Sequence, residues 1–116
     1  MARGVVLASV VVTVLGAAVM LVPVASGSST AKYTVTAVDF GFKGIPARVL
    51  PGAYTFTLVN RGEATHNLKL AGKTTPLLNG GGRAVLTVTL KRGTYAFLCT
   101  VPGHATLGMK GKLVVR

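Results

Sequence analysis

Four side chains in this sequence carry donor atoms that bind soft metals. Beyond residue 27, the chain of 116 residues contains two histidines, one cysteine and one methionine: His66, Cys99, His104 and Met109. Two imidazoles and a thiolate in a trigonal plane, with a weak axial thioether, form the ligand set of a blue-copper electron-transfer site. The residue types therefore predict one copper ion that exchanges single electrons.

The spacing of three of these residues places them in one loop. Cys99, His104 and Met109 follow the pattern C-x4-H-x4-M, and Pro102-Gly103 between the first two is a turn signal. His66 lies 33 positions before Cys99, so we expect it to come from another strand. The four donors would then converge at one end of the fold.

Other uses of the same side chains are weaker. Met109 favours copper over zinc, because structural zinc sites are built from cysteine and histidine. A cysteine nucleophile with a histidine base needs an orienting acid. Asp39 and Glu63 are the only carboxylic side chains, and we expect neither to orient a histidine. A copper oxidase would need further histidines, so we predict a protein that is not an enzyme.

The N-terminal segment has the composition of an export signal. Arg3 precedes an almost unbroken apolar run over residues 5–24, and small polar residues follow. We interpret residues 1–27 as a secretory signal peptide, cleaved near Ser28. The alternative is an uncleaved membrane anchor, since about 20 apolar residues span a bilayer. Both place residues 28–116 outside the cytoplasm, in a periplasmic or other extracytoplasmic compartment.

The exported part, residues 28–116, alternates as half-buried strands do. Apolar residues alternate with threonine over residues 54–58 and again over residues 86–90. Further strands are predicted over residues 32–40, 47–50, 65–71, 93–99 and 110–115. About seven short strands without an amphipathic helix predict an all-β fold, an antiparallel Greek-key β-sandwich.

The alternation also points the donors inward. His66 shares its side of the predicted strand with Leu68 and Leu70, and Cys99 shares its side with Phe97. Side chains two positions apart face the same side of a sheet. We therefore expect the site between the two sheets, at one end of the sandwich.

Two segments resemble the copper-ligand motifs of the cupredoxins, a family that includes plastocyanin, azurin and auracyanin. Residues 93–104, GTYAFLCTVPGH, are similar to the family's C-terminal copper loop, and residues 60–67, NRGEATHN, to its N-terminal histidine motif. The cysteine–histidine spacing is longer here than in plastocyanin, and the histidine–methionine spacing is longer than in azurin. The loop looks most like that of auracyanin.

The resemblance implies a role for each motif residue. His66, Cys99 and His104 would be equatorial ligands of one type 1 copper ion, and Met109 the axial ligand. The backbone amide of Asn67 would donate to the cysteine sulfur and tie the two loops together. The function implied is electron shuttling between redox partners outside the cytoplasm. The alternative is a periplasmic copper carrier that delivers the ion itself.

The charge balance constrains the partners. The chain has 13 Lys and Arg against 2 Asp and Glu; without Arg3, residues 28–116 carry 12 minus 2, or +10. An exported chain without an aromatic and basic motif is not expected to bind nucleic acid. A basic surface favours redox partners with acidic docking surfaces and association with anionic membrane surfaces.

The copper loop itself is uncharged. Residues 93–109 contain no Lys, Arg, Asp or Glu. The resemblance implies an apolar collar around His104, through which electrons would pass to the partner. We expect the protein to act as a monomer.

Overall fold

Residues 30–116 are the part of the chain that the structure, a computed structural model, describes. The predicted signal peptide or anchor, residues 1–27, lies outside the described residues, so the division at residue 28 stays a prediction. The described part contains nine strands and one helical turn. In chain order these are β1 (Ala31–Val38), β2 (Gly41–Lys43), β3 (Arg48–Val49), β4 (Gly52–Asn60), β5 (Lys69–Leu70), β6 (Lys73–Thr74), β7 (Arg83–Leu90), β8 (Gly93–Leu98), α1 (His104–Leu107) and β9 (Lys110–Val115).

The strands form two sheets, which confirms the predicted all-β sandwich class. The four-stranded sheet has the order β2-β1-β4-β7, and the five-stranded sheet has the order β3-β9-β8-β5-β6. Both sheets are mixed, because β1 pairs with β4 in parallel and β3 pairs with β9 in parallel. Between β2 and β4 the chain crosses to the other sheet to form β3. A crossover connection allows parallel pairing that a tight hairpin forbids.

The core lies between the two sheets and follows the predicted alternation. Tyr54, Phe56 and Leu58 of β4 are buried, and the threonines between them are only partly covered. From the opposite sheet, Leu113 and Val115 of β9 enter the same cluster. A fully buried side chain of this size contributes about 1.5–3 kcal/mol relative to an exposed one.

The strand predicted over residues 65–71 is shorter in the structure. Only Lys69–Leu70 forms β5, and His66 makes an isolated bridge with Leu78. His66 and Leu68 nevertheless both face the core as predicted, since both are fully buried. The short strands β2 and β6 were not predicted, because two or three residues cannot show an alternation.

The helical content is one turn, α1, whose four residues are His104–Leu107. No helix within residues 30–116 has the length and apolar character needed to cross a lipid bilayer.

Candidate metal centre

One loop between two adjacent strands carries three of the predicted ligands. Cys99 directly follows β8, His104 begins α1, and Met109 directly precedes β9. The backbone closes this loop: Cys99 N donates to Met109 O at 3.1 Å, and Met109 N donates to His104 O at 3.1 Å. The C-x4-H-x4-M spacing is therefore the length of chain that returns Met109 to Cys99 after one helical turn.

Gly108 ends the turn close to the neighbouring β1–β2 connection. Its φ of +131° is a conformation that side chains with a Cβ rarely adopt. A Cβ there would also lie 2.9 Å from the backbone oxygen of Phe40. Glycine at this position lets the copper loop pack against the segment that carries Phe40.

A buried asparagine shapes the other loop, which delivers His66. Asn60 Nδ2 donates to Ala64 O at 2.9 Å and to Leu78 O at 2.8 Å, while Asn60 Oδ1 accepts from Gly62 N at 2.8 Å. His66 N then donates to Leu78 O at 3.1 Å. A fully buried amide with its donors and acceptor paired fixes the local backbone, because an unpaired buried polar group is costly.

The two loops bring three donor atoms to one point. His66 Nδ1 lies 3.2 Å from His104 Nδ1, and His104 Nδ1 lies 3.6 Å from Cys99 Sγ. Donor atoms of all three residues lie within 4.8 Å of one another. Imidazole nitrogen and thiolate sulfur form metal bonds of about 2.0–2.3 Å, so two donors sharing one metal lie no more than about 4.6 Å apart. The separations of 3.2 and 3.6 Å satisfy this limit.

The fourth predicted ligand is buried beside the cysteine. Met109 is fully buried and belongs to the same apolar cluster as Cys99, which is 1% exposed. The donor set is therefore two imidazoles, a thiol and a thioether, which is the set that copper prefers. His66, Cys99, His104 and Met109 are placed to bind one copper ion.

The side chain of Asn67 joins the two loops. Asn67 Nδ2 donates to Thr100 Oγ1 at 2.7 Å, and Thr100 N donates to Asn67 Oδ1 at 2.8 Å. These bonds join the residue after His66 to the residue after Cys99. The bond from the Asn67 backbone amide to the cysteine sulfur stays a prediction.

Asp39 contacts the site, although the sequence reasoning missed it. Its Oδ1 lies 2.5 Å from Nε2 of His66, the ring nitrogen that faces away from Cys99 and His104. The expectation that neither carboxylate would orient a histidine was therefore wrong. The hydrogen bond from His66, followed by one from the backbone amide of Glu63, lowers the pKa of Asp39. Asp39 is one of only two acidic residues in a basic chain, and this scarcity was the feature of the sequence that could have indicated a role for it.

Phe40 is a second residue that the sequence reasoning missed. Its ring centroid lies 4.9 Å from that of His104, with an interplanar angle of 65°, and 6.0 Å from that of His66. Phe40 is 39% exposed. An aromatic ring thus covers both imidazoles at the edge of the site while reaching solvent.

Comparison with known proteins identifies the family. The model of a family described as copper binding proteins, plastocyanin/azurin family, matches residues 53–116, which is more than half of the chain. The chain therefore belongs to this family of copper-binding proteins. The matched range contains all four predicted ligands, and the predicted copper cofactor is confirmed.

The similar proteins include auracyanins. Over 41 residues the chain is 54% identical to auracyanin-A of Chloroflexus aurantiacus, a match covering 34% of this chain and 25% of that protein. The match thus spans about a quarter of the length of the relative.

Solved auracyanin structures share the fold. The dithionite-reduced auracyanin of Roseiflexus castenholzii has a TM-score of 0.66 and 26% identity, over 78% of this chain and 99% of that one. Auracyanin A of Chloroflexus aurantiacus, titled a "blue" copper protein, has a TM-score of 0.62 and 23% identity, over 76% and 100% of the two chains. The expected cupredoxin fold is confirmed.

Proposed function

We propose that this protein is not an enzyme but carries single electrons between redox partners outside the cytoplasm. In this proposal His66, Cys99 and His104 are the equatorial ligands and Met109 is the axial ligand. The observation that carries the proposal is the convergence of donor atoms of His66, Cys99 and His104 within 4.8 Å of one another, with Met109 fully buried in the same apolar cluster as Cys99. A copper ion bound there supplies one-electron chemistry between Cu(I) and Cu(II).

The burial of the ligands favours electron transfer over ion delivery. His66, Cys99 and Met109 are at most 1% exposed, and backbone hydrogen bonds close the loop that carries two of them. A rigid, dry ligand set excludes water and keeps its geometry when the metal's charge changes. Release of the ion would require this loop to open.

The surface around His104 offers a route for the electron. His104 is partly exposed, whereas the other three ligands are buried. Phe40, at 39% exposure, packs against it, and Leu107, at 62%, ends the same helical turn. We infer that this apolar surface contacts the partner, while the surrounding basic residues attract partners with acidic surfaces.

Export rests on the composition of residues 1–27. The order of a positive residue, an apolar run and small polar residues supports either a cleaved signal peptide or an anchor. Intact-mass measurement of the protein purified from its cell envelope separates the two: a new N-terminus near Ser28 indicates cleavage.

The function is tested by loading the purified protein with Cu(II). We expect one copper per chain, an intense visible thiolate-to-copper absorption and a type 1 electron paramagnetic resonance spectrum. The Cys99→Ser variant is the matched control and should lose the visible band, because a serine hydroxyl supplies no thiolate. A blue Cys99→Ser protein would contradict the ligand assignment.

Redox cycling in the presence of a Cu(I) chelator separates the electron carrier from the copper carrier. We expect the wild-type protein to keep its copper through repeated reduction and oxidation. Ready transfer of Cu(I) to the chelator would instead support ion delivery. Failure to bind stoichiometric copper at all would contradict both functions.

A further inference from the structure

Asp39 is fixed in place by the same loop that presents His66. Its Oδ2 accepts a hydrogen bond from Glu63 N at 2.9 Å, and its Oδ1 lies 3.3 Å from Ala64 N. Its Oδ1 also accepts from His66 Nε2 at 2.5 Å. Asp39 follows β1, 27 positions before His66 in the chain, so this contact is tertiary and spans two loops.

The contact decides which nitrogen of His66 is free for a metal. An ionised carboxylate can only accept hydrogen bonds, so His66 Nε2 must carry the proton that it shares with Asp39. The remaining nitrogen, Nδ1, then presents its lone pair, and it is Nδ1 that faces His104 at 3.2 Å. Hydrogen bonding at one ring nitrogen sets the tautomer at the other.

The loop leaves room for this contact only because residue 62 is glycine. A Cβ on Gly62 would overlap Asp39 Oδ1 and would lie 2.9 Å from His66 Nε2. The backbone therefore approaches the carboxylate–imidazole pair so closely that any side chain there would displace it. His66 has no exposed side-chain surface, whereas the Asp39 side chain is 29% exposed, so the imidazole of the pair is closed to water and the carboxylate is not.

The negative charge of Asp39 is not neutralised by a neighbouring base. Within residues 30–116, no Lys or Arg nitrogen lies within 4.0 Å of a carboxylate, and His66 is the one side chain with a basic nitrogen at that distance. In a chain with 13 basic residues and 2 acidic ones, the imidazole of His66 is thus the side chain that this carboxylate contacts, beside the backbone amides of Glu63 and Ala64.

We propose that Asp39 is a positioning residue that holds His66 Nδ1 toward the copper and lowers the copper reduction potential. The inference rests on the proposed function. A carboxylate at the outer nitrogen makes the ring a stronger electron donor than a neutral acceptor would. A stronger donor and a nearby negative charge stabilise Cu(II) more than Cu(I), because Cu(II) carries the larger charge.

The test compares three copper-loaded proteins by voltammetry. Asp39→Asn keeps the size of the side chain and an oxygen that can accept from His66, but it removes the charge. Glu63→Gln is the matched control: it removes the other carboxylate of the described chain, whose side chain has no hydrogen bond to His66. Each variant removes one negative charge from the neighbourhood of the site.

We expect the Asp39→Asn protein to lose about tenfold or more in its affinity for Cu(II) relative to Cu(I), the scale at which partners of metal ligands act. A tenfold change in this ratio raises the potential by about 59 mV for one electron. Glu63→Gln should leave the potential close to the wild-type value. Equal shifts in the two variants would overturn the inference, because only long-range charge would then be at work.

A conservative variant distinguishes the effect of losing the carboxylate from the effect of disturbing the fold. Asp39→Glu restores the charge and should bring the potential back toward the wild-type value. An Asp39→Glu potential equal to that of Asp39→Asn would count against the inference.

A measurement on the wild-type Cu(I) protein needs no variant. In its nuclear magnetic resonance spectrum, the Nε2 proton of His66 should exchange with solvent far more slowly than that of the partly exposed His104. Similar exchange rates would overturn the inference. A wild-type protein without a type 1 spectrum would refute the proposed function itself, whereas a blue wild-type protein with an unshifted Asp39→Asn potential refutes this inference alone.

Discussion

The two histidines of the site are set by different surroundings, although both present Nδ1 to the same point. His66 is fully buried and is held from behind by Asp39. His104 lies at the surface, where the Phe40 ring packs against it at a centroid distance of 4.9 Å. The buried ring therefore suits tuning of the metal, and the exposed ring suits electron exchange.

Met109→Leu tests the axial position. We expect the variant to keep its copper and its blue colour but to show a higher reduction potential, because loss of the thioether destabilises Cu(II) more than Cu(I), which tolerates fewer ligands. Leucine fills nearly the same volume, so the stability of the copper-free protein should fall by less than about 1.5 kcal/mol. Voltammetry and urea unfolding measure the two effects.

A Met109→Leu protein with an unchanged potential would show that the sulfur does not act on the metal. Because Met109 is fully buried in the apolar cluster, its role would then be packing alone.

At the scale of structural elements, the site depends on how the copper loop between β8 and β9 is joined to the loop before β5. Two hydrogen bonds between Asn67 and Thr100 link these loops. Asn67 is 3% exposed, whereas Thr100 is an exposed residue, so the bonds satisfy the buried amide of Asn67. These hydrogen bonds fix the position of His66 relative to Cys99, because each bonded residue directly follows one of the two ligands.

Asn67→Ala should lower the free energy of unfolding by about 1–3 kcal/mol, because it removes two hydrogen bonds and leaves the Thr100 amide without its partner. Copper affinity should fall as well. Thr65→Ala is the matched control, since the Thr65 hydroxyl makes an exposed hydrogen bond of 3.2 Å to Asn79 near the same histidine. Urea unfolding of both variants checks the prediction, and equal losses would contradict it.

The elements show which parts of the fold were predictable. The alternation of apolar and polar residues predicted that His66 and Cys99 face the interior of the sandwich, because this alternation is a local property of the chain. The parallel pairing of β1 with β4 depends on a crossover through the second sheet, which leaves no local pattern.

The site was predictable to a similar extent. The ligand set could be predicted from residue types and spacing, since three of its members share one short loop. Asp39 and Phe40 could not, because they follow β1 and reach the histidines only after the two sheets pack. Contacts between distant loops depend on tertiary geometry rather than on a motif.

At the scale of the whole molecule, the dominant property is charge. The described residues carry 12 Lys and Arg against Asp39 and Glu63, while residues 93–109 carry none of these four residue types. In the function that we propose, a basic body with an uncharged copper loop would attract acidic partners at long range and leave the contact itself apolar. Screening by salt weakens this attraction, since the Debye length is about 10 Å at 0.1 M ionic strength.

Small redox probes test this steering without a known partner. Oxidation of the Cu(I) protein by the anion hexacyanoferrate(III) should slow as ionic strength rises. Oxidation by the cation tris(phenanthroline)cobalt(III) should accelerate. Stopped-flow absorption at the thiolate-to-copper band measures both rates. The same salt dependence for both probes would contradict electrostatic steering by the basic surface.

Anomalous scattering from a crystal of the copper-loaded protein, measured at the copper absorption edge, locates the ion directly. We predict one peak per chain, within bonding distance of His66 Nδ1, His104 Nδ1 and Cys99 Sγ, with the Met109 sulfur as the more distant fourth donor. A peak elsewhere, or one bound without the Cys99 sulfur, would contradict the site described above.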